Sequence, residues 1–252
     1  MNYCFILATV EGREKFLDRC VASAKASRYA DADFYLYYQG SGKCEHEDFF
    51  REVVYDPQKR GVFTPRFELM KRFGTKYDFT IVIDDDLYLT EDTNYETAMN
   101  FATMIHDVGC VCLIKSKDAV KPMVRRIHYG HENYNVFGGL VIPKRPLEEM
   151  LWFLRDKTED YTDDVFWLAL YVLGYDLYKD FSSYSVHAAN QKVSGKNSGW
   201  HEWRDSQKGK EKHLLEGYVD YSDVGAYDVP EVWNVTEAGL EMRMSRREKL
   251  FG

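Results

Sequence analysis

Ile81-Val82-Ile83-Asp84-Asp85-Asp86-Leu87-Tyr88-Leu89 is the stretch whose reading decides the fold. The run from Asp78 to Ile83 is apolar and β-branched, as expected of a strand buried on both faces of a sheet. Three carboxylates follow it without a break. Like charges at the end of a buried strand repel, and each must stay solvated or be matched by a cation. A hard divalent ion resolves this, because it takes carboxylate oxygens and can hold substrate phosphates as well. The C-terminal edge of an open α/β sheet is also where ligands bind. The competing reading is an acidic turn that caps the next element.

Working outward, the first half alternates strands and helices. Residues 3 to 10 form an apolar strand that turns at Gly12, and a helix follows with Phe16, Leu17, Cys20, Val21 and Ala24 on one face. Asp33-Phe34-Tyr35-Leu36-Tyr37-Tyr38 reads as a second strand, closed by Gly40-Ser41-Gly42. Thr64-Pro65 starts a helix, with Pro at its first position. In the second half, residues 95–107 read as helix and Gly109 to Ile114 as strand. Val136 to Ile142 reads as a strand broken by Gly138-Gly139, and helices are expected around 146–156 and 162–173. From 187 to 217 the pattern dissolves into Gly, Ser, Lys, His and Trp, too long for a routine connection and therefore a functional loop. Strands alternating with helices predict an α/β protein with a mostly parallel, Rossmann-like central sheet flanked by helices.

Composition bounds the function. Lys and Arg number 33 against 41 Asp and Glu, so the net charge is 33 − 41 = −8, which argues against a general nucleic-acid coat protein. Hydrophobic residues at 45% suffice for a sizeable core, and 29% charged residues exclude wholesale disorder. No apolar run reaches the ~18 residues of a membrane span. Met1 to Val10 lacks the basic flank and cleavage site of a secretory signal and reads as a strand. Five cysteines (Cys4, Cys20, Cys44, Cys110 and Cys112) without CxxC spacing read as free thiols of a cytoplasmic protein, with Cys110 and Cys112 on one face of a strand. The sequon Asn234-Val235-Thr236 is then a chance match.

An ordered set of motifs over about residues 3–200 resembles the nucleotide-sugar-dependent glycosyltransferases of the GT-A fold, family-2-like and including phage-type enzymes. Thr9-Val10-Glu11-Gly12-Arg13 is similar to their nucleoside-binding loop, and Lys59-Arg60-Gly61-Val62-Phe63-Thr64-Pro65-Arg66 resembles the Gly…Arg element before the DxD strand. Asp84-Asp85-Asp86 matches the DxD motif itself. Phe137-Gly138-Gly139-Leu140 looks like the acceptor-side strand, and Tyr161-Thr162-Asp163-Asp164-Val165 resembles the acidic motif at a helix start that supplies a catalytic base.

The resemblance implies roles. Asp86 would bind Mn²⁺ or Mg²⁺ directly, and Asp84 would contact the ribose and reach the metal directly or through water. Thr9, Arg13, Arg66 and Asp85 would complete the donor site, with the arginines near the base or diphosphate of a UDP-linked sugar. Asp164, with Asp163 beside it, would deprotonate the acceptor hydroxyl and so invert the anomeric configuration. Both acids also suit the first turn of a helix, with Thr162 as its N-cap, without any chemistry. His187 has the place of a third metal ligand, and His201 competes for it.

Residues 192–213 carry six cations and three acids, with Trp200 and Trp203. They read as a C-terminal lid over the diphosphate in which Lys192 or Lys196 offsets leaving-group charge. A solvated loop with its Trp rings packed inward is the next reading, and an acceptor surface for polyanions the third. One domain, 1–252, is expected: about 1–115 for the nucleotide sugar, 116–186 for the acceptor, and 187–252 as lid and extension. The acceptor class stays open among saccharides, proteins and hydroxylated DNA bases. The alternatives are a catalytically silent nucleotide-binding protein on the same fold and a sugar nucleotidyltransferase. The latter is disfavoured because no Gly-rich, Lys-containing loop follows the first strand.

Overall fold

The computed structural model describes residues 1–114, 124–127, 139–156, 164–187, 215, 217–220 and 234–251. Strand β1 (Tyr3–Val10) leads through Glu11-Gly12-Arg13 into α1 (Glu14–Ala26), and β2 (Asp33–Gln39) and β3 (Glu52–Asp56) follow. Next come α2 (Phe63–Arg72), β4 (Phe79–Asp84), β5 (Leu87–Tyr88), α3 (Tyr95–Met104) and β6 (Val108–Ile114). The remaining elements are β7 (Val124–Arg126), β8 (Leu140–Pro143), α4 (Lys144–Phe153), α5 (Asp164–Val172), β9 (Asp176–Tyr184), β10 (Val186–His187), β11 (Val219–Asp220), β12 (Asn234–Val235) and α6 (Glu237–Phe251).

Eight strands form the central sheet in the order β3-β2-β1-β4-β8-β6-β9-β7. The β1–β2, β2–β3, β1–β4 and β6–β9 pairs are parallel, whereas β8 runs antiparallel to both β4 and β6 and β7 antiparallel to β9. The alternation of side chains along β1 explains the layering. Cys4 and Ile6 enter the core under α2, α4 and α5, while Phe5 and Leu7 enter the core under α1 and α3. The chain winds outward from β1 through β2 to β3, then returns to the other side of β1 as β4. That reversal makes a topological switch point, and it opens at the C-terminal ends of β1 and β4.

Several boundaries differ from the sequence reading. Helix α2 begins at Phe63, so Pro65 is its third residue rather than its first; the ring is tolerated there because first-turn N–H groups have no intrahelical partner. Helix α3 stops at Met104 rather than 107, where Ile105 turns extended. The helices expected at 146–156 and 162–173 run over Lys144–Phe153 and Asp164–Val172. Of the strand expected at 136–142, residues 140–143 form β8, while 136–138 lie outside the described residues. All five cysteines are buried thiols outside any disulfide, with Cys110 and Cys112 in the same core cluster on β6.

Helix α6 is fastened by cations. Arg243, 7% exposed, donates through Nη1 to the carbonyls of Tyr171 and Tyr175 at 2.6 Å each and pairs with Asp176. Arg247 adds bonds to the Gly174 carbonyl (3.0 Å), Asp176 (3.0 Å) and Asp107 (3.3 Å), and Arg126 reaches Asp176 at 2.8 Å. This cluster lies at the N-terminal ends of β6 and β9. Because β8 is antiparallel to both β4 and β6, those two strands point the same way, and the cluster therefore occupies the sheet edge opposite the switch point.

Candidate active site

The β1–β4 register sets Ala8 beside Asp84, which brings Thr9 and the Glu11-Gly12-Arg13 turn over Asp85 and Asp86. Gly12 makes the turn at φ 94°, a left-handed conformation that glycine adopts without strain. Asp85 is 4% exposed and fully engaged: Thr9 Oγ1 donates to it at 2.5 Å, and Arg13 meets it through Nε at 2.8 Å and Nη2 at 2.6 Å. The same Nη2 reaches Asp86 at 3.1 Å. Arg13 also lies over the Phe16 ring, 4.6 Å from its centroid. Burial alone would lower the pKa of Arg13, but Asp85 and Asp86 outweigh it and push the guanidinium above its ordinary value. Beneath the triad, Cys20 is a thiol driven well up by burial and by the three carboxylates, so it stays protonated.

Asp84 pairs with Arg66, which projects from the first turn of α2 and is 6% exposed. Arg66, Val82, Asp84, Gly139, Leu140, Phe166 and Trp167 line a narrow cavity of about 20 Å³ beside the triad. Gly139 has φ +99°, and a Cβ there would stand 2.4 Å from the Tyr95 hydroxyl. Tyr95 is wholly buried, and its backbone N–H donates to the Tyr29 hydroxyl at 2.6 Å. The glycine read as an acceptor-strand marker is thus also a packing necessity. Tyr95 and Trp167 escaped the sequence reading, since apolar periodicity marks them only as core.

Thr9, Arg13, Arg66, Asp84, Asp85 and Asp86 are thus brought together. Within the group Asp85 turns away toward Thr9 and Arg13, which leaves Asp84 and Asp86 as the carboxylates nearer the open edge. Strand β10 pairs antiparallel with β5, and His187 stands opposite Leu87, one residue from Asp86. The backbone of His187 is therefore next to the triad. Asp164 is the first residue of α5, whose Phe166 and Trp167 line the cavity with Asp84. Asp163, Lys192, Lys196, His201 and the basic stretch 192–213 lie outside the described residues.

Among the described residues three carboxylates, Asp84, Asp85 and Asp86, gather with the guanidiniums of Arg13 and Arg66, and the carboxylate oxygens are hard donors. That chemistry fits Mn²⁺ or Mg²⁺. Among the described residues no three or more His, Cys, Asp or Glu form a metal cage. An ion held by Asp84 and Asp86 would need its remaining ligands from His187, water or a bound phosphate.

No family model matches this sequence, and no curated relative matches it. Solved structures do. The chain is similar to S. aureus TarS, with a TM-score of 0.56 and 12% identity over 74% of this chain and 36% of that one. A second likeness is GalNAc-T7 with UDP, GalNAc and Mn²⁺, with a TM-score of 0.57 and 12% identity over 98% of this chain and 54% of that one. A third is CMP:2-keto-3-deoxy-manno-octonic acid synthetase complexed with CTP, at a TM-score of 0.50 and 11% identity, over 77% of this chain and 97% of that one. The chain spans about a third of TarS and about half of GalNAc-T7. The fold is GT-A: a mixed, mostly parallel eight-stranded sheet between helices.

Proposed function

We propose that the chain transfers a sugar from a UDP-linked donor to an acceptor hydroxyl, with Mn²⁺ or Mg²⁺ as cofactor and with inversion at the anomeric carbon. The observation that carries this reading is the carboxylate triad at the switch-point edge. It is supported by a fold shared with a protein whose structure holds UDP, GalNAc and Mn²⁺. A divalent ion on Asp84 and Asp86 would supply Lewis-acid neutralisation of the departing diphosphate. The chain's own residues do the rest. Asp85, gripped by Thr9 and Arg13, fixes the turn that aims its two neighbours. Asp84 contacts the ribose, Arg66 binds the diphosphate, and His187 completes the metal shell.

Asp164 accepts the proton from the acceptor oxygen. As the first residue of α5 it stands at the helix end that favours negative charge. Lys192 and Lys196 offset the charge of the leaving group. Saccharides, proteins and hydroxylated DNA bases share the hydroxyl that this chemistry requires.

A thermal-shift panel of UDP-, GDP-, CMP- and dTDP-linked sugars, each with and without Mn²⁺, tests the proposal. Stabilisation by at least one donor that requires Mn²⁺ is expected; indifference to all of them defeats it. The likeness to the CMP-sugar synthetase over 97% of its length supports a second reading, the making of an activated sugar. Pyrophosphate release from CTP and a sugar acid would favour that reading, although Glu11-Gly12-Arg13 offers a single glycine and no lysine for a triphosphate.

A further inference from the structure

The two arginines beside the triad enter from separate loops. Arg13 is the N-cap of α1, and Arg66 lies in the first turn of α2. Neither helix start is fixed by a capping side chain, since Arg13 and Val62 at the two N-cap positions make no such bond. Gln39, the last residue of β2 and only 3% exposed, is bonded to both loops. Its carbonyl accepts the Glu11 N–H at 2.9 Å, which ties down the Glu11-Gly12-Arg13 turn. Its side chain continues the series of Tyr35 and Tyr37 and points into the α2 layer. There Oε1 accepts the Arg60 N–H at 2.6 Å, and Nε2 donates to the Gly61 carbonyl at 3.3 Å. Gly61 is buried, with φ 82°, and α2 begins at Phe63.

A carboxamide suits this place. It carries an acceptor and a donor side by side, so it meets Arg60 and Gly61 as a neighbouring strand would. A buried backbone group deprived of its partner costs free energy, and the loop is therefore held where the amide meets it. Both ends of the amide are engaged with the chain itself, so Gln39 acts on a bound nucleotide through the loops it holds. We infer that Gln39 is a positioning residue for the donor: it sets the spacing between the Arg13–Asp85 clamp and the start of α2, and so the place that Arg66 offers to a diphosphate. This role presupposes that the switch-point edge is the donor site.

Calorimetric titration of the full chain with UDP in saturating MnCl₂, beside urea denaturation of each variant, tests it. Gln39→Met keeps the length of the side chain and removes both of its bonds. It is expected to weaken UDP roughly tenfold, within the scale on which small displacements of a binding group act. Tyr37→Phe deletes a bond of 2.8 Å to Asp56 in the same layer and leaves both Gln39 bonds in place. It should lower the urea midpoint as the loss of a buried hydrogen bond does, and keep UDP affinity within about twofold. Gln39→Glu supplies a readout that packing alone does not move. Its carboxylate accepts from Arg60 but has nothing to donate to Gly61, whereas its protonated form does both. Burial beside a carbonyl disfavours the ionised form and lifts its titration above the ordinary carboxylate value of about 4. Relative to the unaltered chain at the same pH, UDP affinity should be down about fivefold at about pH 7.5 and recover to within about twofold at about pH 5.5.

Unchanged UDP affinity in Gln39→Met overturns the inference, as does a loss in Tyr37→Phe equal to that in Gln39→Met. Should Gln39→Met fail to fold, a Gln39→Glu affinity that matches the unaltered chain at the higher pH, or that stays equally reduced at the lower one, overturns it instead. Binding of UDP that ignores Gln39 defeats the positioning role alone; no binding of UDP by the unaltered chain defeats the donor-site reading and the positioning role with it.

Discussion

Two clusters of aspartate and arginine sit at opposite edges of one sheet, and their charge balance runs in opposite directions. At the switch-point edge Asp84, Asp85 and Asp86 face Arg13 and Arg66, so among the described residues carboxylates outnumber guanidiniums. At the far edge Asp107 and Asp176 face Arg126, Arg243 and Arg247, so guanidinium is in excess. The far cluster disposes of its surplus internally: spare N–H donors go to the carbonyls of Tyr171, Gly174 and Tyr175. The arginines register the contrast. Burial lowers the pKa of Arg243 and its neighbours do not restore it, whereas Asp85 and Asp86 raise that of Arg13 despite burial. The arginine-rich cluster fastens a helix; the carboxylate-rich cluster gathers hard oxygen donors at the sheet edge where α/β folds bind ligands.

The sharpest way to break this comparison is to remove one carboxylate from each side. Asp176→Asn strips the shared counter-ion from three guanidiniums at a position 2% exposed, and is expected to cost about 3–5 kcal/mol of stability in chemical denaturation. Asp86→Asn removes one of the bonds to Arg13 and leaves Asp85 as its counter-ion, and should cost no more than about 1–2 kcal/mol of stability in the ligand-free chain. Equal losses at the two positions would dissolve the distinction between fastening and site.

A smaller effect probes what holds the middle carboxylate. Thr9→Val keeps the side-chain shape and deletes the 2.5 Å bond to Asp85, leaving Arg13 as the remaining partner in the clamp. A loss of about 1–2 kcal/mol is expected on denaturation, the cost of one buried acceptor deprived of a donor. No loss would mean that Arg13 alone sets the turn.

The smallest effect is in acid. Burial would raise the pKa of Asp107, but hydrogen bonds donated by Arg247 and Tyr178 outweigh it and hold it below the ordinary carboxylate value. A folded pKa below the unfolded one means that its stabilisation is present above about pH 4 and fades as the pH falls through the depressed folded value. Asp107→Asn should therefore flatten the acid limb of the stability curve and leave the slope near neutral pH unchanged. An unchanged acid limb would remove Asp107 from the fastening.

Much of the switch-point edge was legible because it is written in contiguous residues. The apolar run of β4 followed by three aspartates needs no tertiary knowledge, and β1 and α1 follow from period alone. The partnership of Thr9 and Arg13 with Asp85 depends on β1 lying beside β4 in parallel register, which no local pattern encodes. The family resemblance assigned Asp85 to the donor site; the fold turns it inward onto Thr9 and Arg13. The far edge was invisible for a different reason. Strand β9 reads Asp-Leu-Tyr-Lys-Asp-Phe-Ser-Ser-Tyr, with Asp176, Asp180 and Ser183 buried, so its pattern mimics a polar segment. Helix α6 buries Gly239 and Arg243, residues that a search for apolar periodicity passes over. Strand β3, Glu-Val-Val-Tyr-Asp, is a short edge strand with both ends charged, and it too was passed over.

The central claim is that the carboxylate-rich edge binds a divalent ion for donor cleavage, and release of UDP from UDP-glucose, UDP-galactose, UDP-GlcNAc and UDP-GalNAc in the presence and absence of Mn²⁺ tests it most directly. The account predicts release from at least one donor that requires Mn²⁺. It also predicts that Asp86→Asn lowers that release by about a hundredfold or more, the scale on which removing one charge-stabilising group acts, while the fold stays intact. UDP release that ignores both Mn²⁺ and Asp86→Asn, or no release from any of the four, would contradict it.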